Sequence, residues 1–178
     1  MDRMFILGRA LEAIEAQLPL TSDQQAHRLL RVKKADLLTK IGRIEEARNL
    51  VAQLRLENQS YEPKLAGWIM FVEGLIQHFG SLDVNAARDR LRRSYAVAVA
   101  VGDSELRAIS AAWLADSDYR LTNYESACER LKEAFRWADK DCHEAHSRAC
   151  LVIASMLILS GDIDLGGNWY RKARMHAV

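Results

Sequence analysis

Three side chains in the last quarter of the chain have the types and the spacing to bind a metal ion. Cys142, His146 and Cys150 follow one another at intervals of four residues, so on an α-helix they share one face. Thiolate sulfur and imidazole nitrogen are ligands that zinc and copper prefer. A single helix face rarely completes a tetrahedral shell, and cysteine is equally common in helical cores. We therefore expect no metal and no cofactor, and keep these three residues as the candidate ligands.

No pattern in the sequence indicates catalysis or nucleic-acid binding. The five histidines are scattered, and there is neither a glycine-rich phosphate loop nor a nucleophile and base at a telling spacing. The run Arg88, Arg90, Arg92 and Arg93 is interrupted by Asp89 and points in several directions around a helix, which is typical of a solvated face. The net charge is +1, so no global field favours nucleic acid or an anionic membrane. We predict that the protein is not an enzyme.

The composition favours a helical protein of the cytoplasm. Two Pro and nine Gly in 178 residues are too few for the many turns of a sheet protein. The three cysteines show no paired framework and the sequence has no signal peptide, which fits a reducing compartment. It also has no apolar run near 18 residues, so we expect no membrane span.

Small residues recur along the chain with one period, and they organise the helices that carry all the candidate sites. In the second helix of each predicted pair they are spaced 40, 40 and 39 residues apart, and in the first helix 39, 41 and 39. A small residue is needed where two packed helices approach most closely. The two series are Ala47, Ala87, Ala127, Gly166 and Ala35, Gly74, Ala115, Ala154.

These markers and the unit around Ile109–Ala138 resemble tetratricopeptide repeats in a long form of about 40 residues. The closing run from Gly161 to Met175 is most similar to the repeat regions of bacterial maltose-activator-like regulators and of diguanylate cyclase sensory regions. The resemblance implies an all-α, right-handed superhelical solenoid of antiparallel helix pairs, about four pairs plus an N-terminal helix, in a single domain over residues 1–178. Its approximate units are a leading helix at 1–20, then 22–57, 63–101, 103–140 and 142–178.

Glycines and two charged residues refine this pattern. Gly42, Gly80, Gly102 and Gly161 each follow a helical apolar run, where a C-terminal cap requires positive φ. Lys34 and Glu73 stand at usually apolar positions of the repeat, and the second unit is stretched at Leu82-Asp83. The family has no fixed catalytic or ligand residues, so no functional residue carries over from the resemblance.

The first helices of such repeats line the concave side, where we predict a groove for a protein or peptide partner. An aromatic strip bordered by polar groups suits such a groove. The alternative is that the same side chains form the core. Two further functions stay open: a small-ligand sensor that controls an attached output domain, such as a diguanylate cyclase or a DNA-binding domain, and a structural oligomerisation solenoid. The predicted groove residues are Trp68, Phe71, Leu75, His78, Phe79, Tyr119 and Arg120.

The last helix predicts self-association. Ile163, Trp169 and Tyr170 make a face that we expect to pair two copies as a homodimer. The chain stops at His176-Ala177-Val178 without a glycine cap or the charged outer face that solenoid ends require. We therefore expect a fragment of a larger bacterial signalling protein, with the ligand left open.

Overall fold

The computed structural model describes residues 3–57 and 62–176, and over these residues the chain is all-α, as predicted. Part of the predicted linker, residues 58–61, and residues 177–178 lie outside the described residues. None of the described helices combines the length and the apolar content needed to cross a membrane. The α-helices are α1 (Arg3–Gln17), α2 (Gln24–Lys40), α3 (Ile44–Glu57), α4 (Pro63–Ile76), α5 (Val84–Val101), α6 (Ser104–Arg120), α7 (Tyr124–Trp137), α8 (His143–Leu159) and α9 (Ile163–His176).

The helices form two compact units, Met1–Val97 and Ala98–Val178. In unit 1, α2 packs against α1, α3 and α4, and α3 packs against α4. The part of α5 in this unit is held on α4 by the Ser94 hydroxyl, which donates to the Gly67 carbonyl at 2.9 Å. In unit 2, α6 packs against α7 and α8, and α8 packs against α9. The prediction of a single domain stays a prediction.

Aspartate side chains begin four of the helices. Asp23, Asp83, Asp103 and Asp162 each accept a hydrogen bond from a backbone N–H three residues further on, at 2.8 to 3.1 Å. Such a cap satisfies one of the backbone donors that have no partner inside the helix. The caps at Asp23 and Asp103 explain why α2 and α6 begin within two residues of the predicted unit starts at 22 and 103.

Left-handed residues end the first helix of each pair. Gly42 and Gly161 have the predicted positive φ, and Thr122 takes the same conformation at φ 60°. The prediction is wrong for Gly80, which does not have positive φ; the left-handed residue is Leu82 at φ 55°. The reason is a π-helical turn, Gln77–Ser81, which lengthens α4 and moves its end by two residues. It accounts for the stretch seen at Leu82-Asp83.

All eight small-residue markers are buried, and two of the pairs lie where their helices approach each other closely. A Cβ added at Gly74 would come within 3.3 Å of the Ala87 carbonyl oxygen and within 2.8 Å of Leu91 Cγ. At Gly166 it would lie 3.1 Å from the Ala154 carbonyl oxygen. Gly74 faces Ala87 and Gly166 faces Ala154, so in these two pairs the periodic markers meet as the sequence predicted.

Candidate ligand-binding site

The predicted groove strip in unit 1 is mostly buried. Trp68, Phe71, Leu75 and His78 are each at most 4% exposed, whereas Phe79 is 40% exposed. The Trp68 and Phe71 rings meet edge to face with centroids 5.9 Å apart, a favourable aromatic geometry. Of these five side chains only Phe79 is accessible to a partner, and the other four lie where the core alternative expects them. The groove itself stays a prediction.

The two predicted rim residues lie at the end of α6 in unit 2. Arg120 is exposed and pairs with Asp116, whose Oδ2 is 3.0 Å from Arg120 Nε, while Arg148 approaches the other Asp116 oxygen at 3.5 Å. Tyr119 is partly buried, and its burial, with smaller contributions from neighbouring groups, raises the pKa of its hydroxyl. Its ring centroid lies 6.1 Å from that of Tyr124. Arg120 therefore belongs to an ion-pair network within unit 2.

The three candidate metal ligands are not arranged as a metal site. Within residues 3–57 and 62–176, no group of three or more His, Cys, Asp or Glu side chains has a geometry that could hold a metal ion. Burial raises the pKa of the Cys142 thiol to about 11 and also raises that of Cys150, so both stay protonated near neutral pH. The His146 Nε2 lies 2.9 Å from the Asp139 carbonyl oxygen, and its ring stacks on that of His176.

The predicted dimer face on α9 is partly exposed. Ile163 is 70% exposed and Tyr170 51%, whereas Trp169 is half-buried. Trp169 packs instead against Phe135 of α7, with ring centroids 6.4 Å apart, and lies under the Lys172 ammonium group. Pairing of two copies through this face stays a prediction.

Unit 1 contains a cavity of about 540 Å³ between α3, α4 and α5, where no binding site is predicted from the sequence. Its apolar wall consists of Val51, Ala52 and Leu56 from α3 and Ile76 from α4. Leu56 is 74% exposed and Ala52 is also exposed, whereas Val51 and Ile76 belong to the core. The cavity therefore has a buried apolar floor and an apolar edge that solvent still reaches.

The polar wall of the cavity carries three arginines and one carboxylate. Arg48 and Arg55 lie about two helical turns apart on the same face of α3, and Arg90 comes from α5. Glu73 of α4 lies between two of them, with Oε1 at 3.2 Å from Arg55 and Oε2 at 3.4 Å from Arg90. Arg48 approaches Glu45 at 3.5 Å. The lining thus carries more positive than negative charge.

The sequence held a signal for this cavity. Glu73 is a charged residue at a usually apolar position of the predicted repeat, and the structure gives it two arginine partners. Lys34, the other departure, pairs with Glu15 of α1 at 2.7 Å. Arg90, which the sequence predicts on a solvated face, is partly exposed, and its guanidinium group lies 3.4 Å from Glu73 Oε2. The structure adds a partner on α4, which the position of Arg90 along its own helix does not reveal.

Comparison with known proteins does not identify the chain. No protein-family model matches it, and no curated protein matches it either. The tetratricopeptide resemblance stays a prediction from the residue pattern.

Proposed function

We propose that the chain is a helical-repeat binding module that holds a protein or peptide partner, with the cavity of unit 1 as its binding site. In this proposal the helix pairs are tetratricopeptide-like repeats of a right-handed solenoid, and the module performs no catalysis. It serves as the regulatory or sensory part of a bacterial signalling protein. The recurring small-residue crossings and left-handed turns support the repeat assignment.

The observation that carries the proposal is the lining of the cavity. Pockets that bind ligands are typically about 300–1,000 Å³, mainly apolar, and hold a few convergent polar groups. The cavity between α3, α4 and α5 has about 540 Å³, four apolar side chains and three arginines. The exposed Leu56 at its edge gives a partner apolar surface to bury.

A second candidate function is the sensing of a small ligand that controls an attached output domain. The volume of the cavity, about 540 Å³, supports this function as well, because it is suitable for a drug-sized molecule. The two functions differ in what lies outside the cavity: a peptide continues past the rim over α3, whereas a small ligand is confined to the lining.

The test is a selection of binders from a random displayed peptide library, followed by affinity measurements on two variants. Ala52→Trp fills the cavity from an exposed position of α3, and Asn49→Trp adds the same side chain at an exposed position of α3 outside the lining. We expect Ala52→Trp to weaken a selected peptide by about tenfold or more, and Asn49→Trp to leave it nearly unchanged. Absence of any binder, or equal affinity in both variants, would contradict the proposal.

A further inference from the structure

We infer that the cavity of unit 1 binds an acidic peptide segment with aliphatic side chains, and that a carboxylate of this segment takes over the arginines that Glu73 occupies in the free protein. The inference rests on the proposed function and specifies the chemistry of the partner. Glu73 then acts as an internal competitor of the ligand.

The charges around the cavity favour an anion. Within the lining, Glu73 is the carboxylate that pairs with Arg55 and Arg90, whereas Arg48 pairs with Glu45 outside the lining. Guanidinium groups present paired N–H donors that match a carboxylate, and they cannot lose their charge near neutral pH. The carboxylate of Glu73 does not use all the arginine N–H donors of the lining, so an acidic segment can still bind to them. A basic segment would be repelled by the same arginines.

The ion pairs of Glu73 are long. Its oxygens lie 3.2 Å and 3.4 Å from the arginine nitrogens, whereas strong charge-assisted hydrogen bonds are about 2.7–2.9 Å. Oε2 of Glu73 is buried and accepts no hydrogen bond from any of the described residues. A buried carboxylate oxygen without a donor is costly, so a ligand that donates an N–H to Glu73 relieves this cost.

A peptide supplies all the groups that the cavity lacks. Its acidic side chain offers a carboxylate to Arg55 and Arg90, and its backbone N–H offers a donor to Glu73. Its aliphatic side chains cover Leu56, which is 74% exposed in the free protein. Inorganic phosphate provides only the negative charge, and a fatty acid provides the charge and the apolar group but no N–H donor.

The experiment uses three acetylated hexapeptides in which leucine alternates with glutamate, glutamine or lysine. Binding to the whole chain is measured by calorimetry, with inorganic phosphate and octanoate as small anions. We expect the glutamate peptide to bind most tightly and to weaken with added salt. Arg55→Gln and Arg90→Gln should each weaken it by about tenfold, as loss of a charge-assisted contact implies.

The decisive variant is Glu73→Gln, which keeps the size and one oxygen acceptor but removes the competing charge. We expect it to tighten the glutamate peptide by about threefold to tenfold and to leave the glutamine peptide unchanged. A misfolded variant cannot bind more tightly, so this result is independent of any loss of stability. Asp89→Asn is the matched control, since it removes one negative charge from α5 at an exposed position outside the lining.

The failures are distinguishable. If the glutamine peptide binds as tightly as the glutamate peptide and Ala52→Trp abolishes both, the cavity binds peptides and only the acidic specificity is wrong. Weaker binding of the glutamate peptide to Glu73→Gln would also overturn the inference. If octanoate binds as tightly as the glutamate peptide, the peptide assignment is wrong and the ligand is a small carboxylate. If none of the probes binds and the library gives no binder, the proposed function fails as well.

Discussion

The two adjacent glycines of α9, Gly166 and Gly167, differ in how much space surrounds them. A Cβ at Gly166 would lie 2.6 Å from Ile158 Cγ1 and 3.1 Å from the Ala154 carbonyl oxygen, whereas at Gly167 it would meet nothing within 4 Å. The side-chain atom of Ile158 can move, but the backbone oxygen of α8 is held by its helix. The crossing between α8 and α9 is therefore specified by the first glycine and not by the second.

We predict opposite effects for the two substitutions to alanine. Gly167→Ala should raise the free energy of unfolding by up to about 1 kcal/mol, because alanine has the better helix propensity. Gly166→Ala should lower it by about 1–3 kcal/mol, since overpacking outweighs that gain. Urea denaturation of both variants checks this. Stabilisation by Gly166→Ala would show that α8 and α9 do not approach as closely as described.

The three cysteines differ in burial, and this predicts their reactivity. Cys128 is exposed, whereas Cys142 and Cys150 are buried. Burial raises the pKa of Cys142 to about 11 and raises that of Cys150, and the thiolate is the reactive form. At pH 8 we expect a thiol reagent to label Cys128 rapidly and the other two only after unfolding. Mass spectrometry of peptides from the labelled chain checks the sites. Rapid labelling of Cys142 in the folded protein would contradict its placement.

At the scale of the helices, the sequence predicted most starts and ends because the signals are local. An aspartate cap or a glycine with positive φ acts within a few residues, and the small-residue markers act between neighbouring helices. The positive φ predicted at Gly80 is wrong because a π-helical turn is not visible in an apolar pattern. The cavity was missed because Arg48, Glu73 and Arg90 come from three helices, and their side-chain directions depend on tertiary packing.

The C-terminal helix α9 carries a group whose protonation should weaken its packing. Burial and the nearby His146 and His143 lower the pKa of His176; the ring centroids of these neighbours lie 4.9 Å and 6.1 Å away. The unfolded chain, with an ordinary histidine pKa of about 6.5, therefore binds a proton at a higher pH than the folded chain. The contribution of His176 to stability falls as the pH drops through that value and levels off below the folded pKa.

We expect the thermal midpoint to decrease between pH 7.5 and pH 5, and to decrease less in His176→Gln, which cannot be protonated. The comparison of the two slopes is the measurement, because groups away from the His176 ring titrate in both proteins alike. Since His176 lies near the surface, we expect a difference of a few degrees at most. Parallel plots of the thermal midpoint against pH would show that the two neighbouring histidines do not lower the pKa of His176.

For the molecule as a whole, the open question from the sequence was which aromatic side chains support the fold and which serve a partner. The aromatic pattern alone could not separate these roles, because a groove and a core both place apolar residues on the first helix of a repeat. Burial separates them. Phe71 is fully buried, whereas Phe79, in the same strip, is 40% exposed. The two phenylalanines therefore form a matched pair of the same residue type.

We predict that Phe71→Ala lowers the free energy of unfolding by about 3–5 kcal/mol, as deletion of a buried aromatic side chain does. Phe79→Ala should cost about 1 kcal/mol or less, because much of its surface is in contact with water before the substitution. Urea denaturation of the whole chain measures both, with Arg120→Ala as a surface reference that should stay within about 0.5 kcal/mol of the parent. If Phe71→Ala were tolerated as well as Phe79→Ala, the strip would have to be accessible in solution. The predicted groove on the first helices would then replace the cavity as the favoured binding surface.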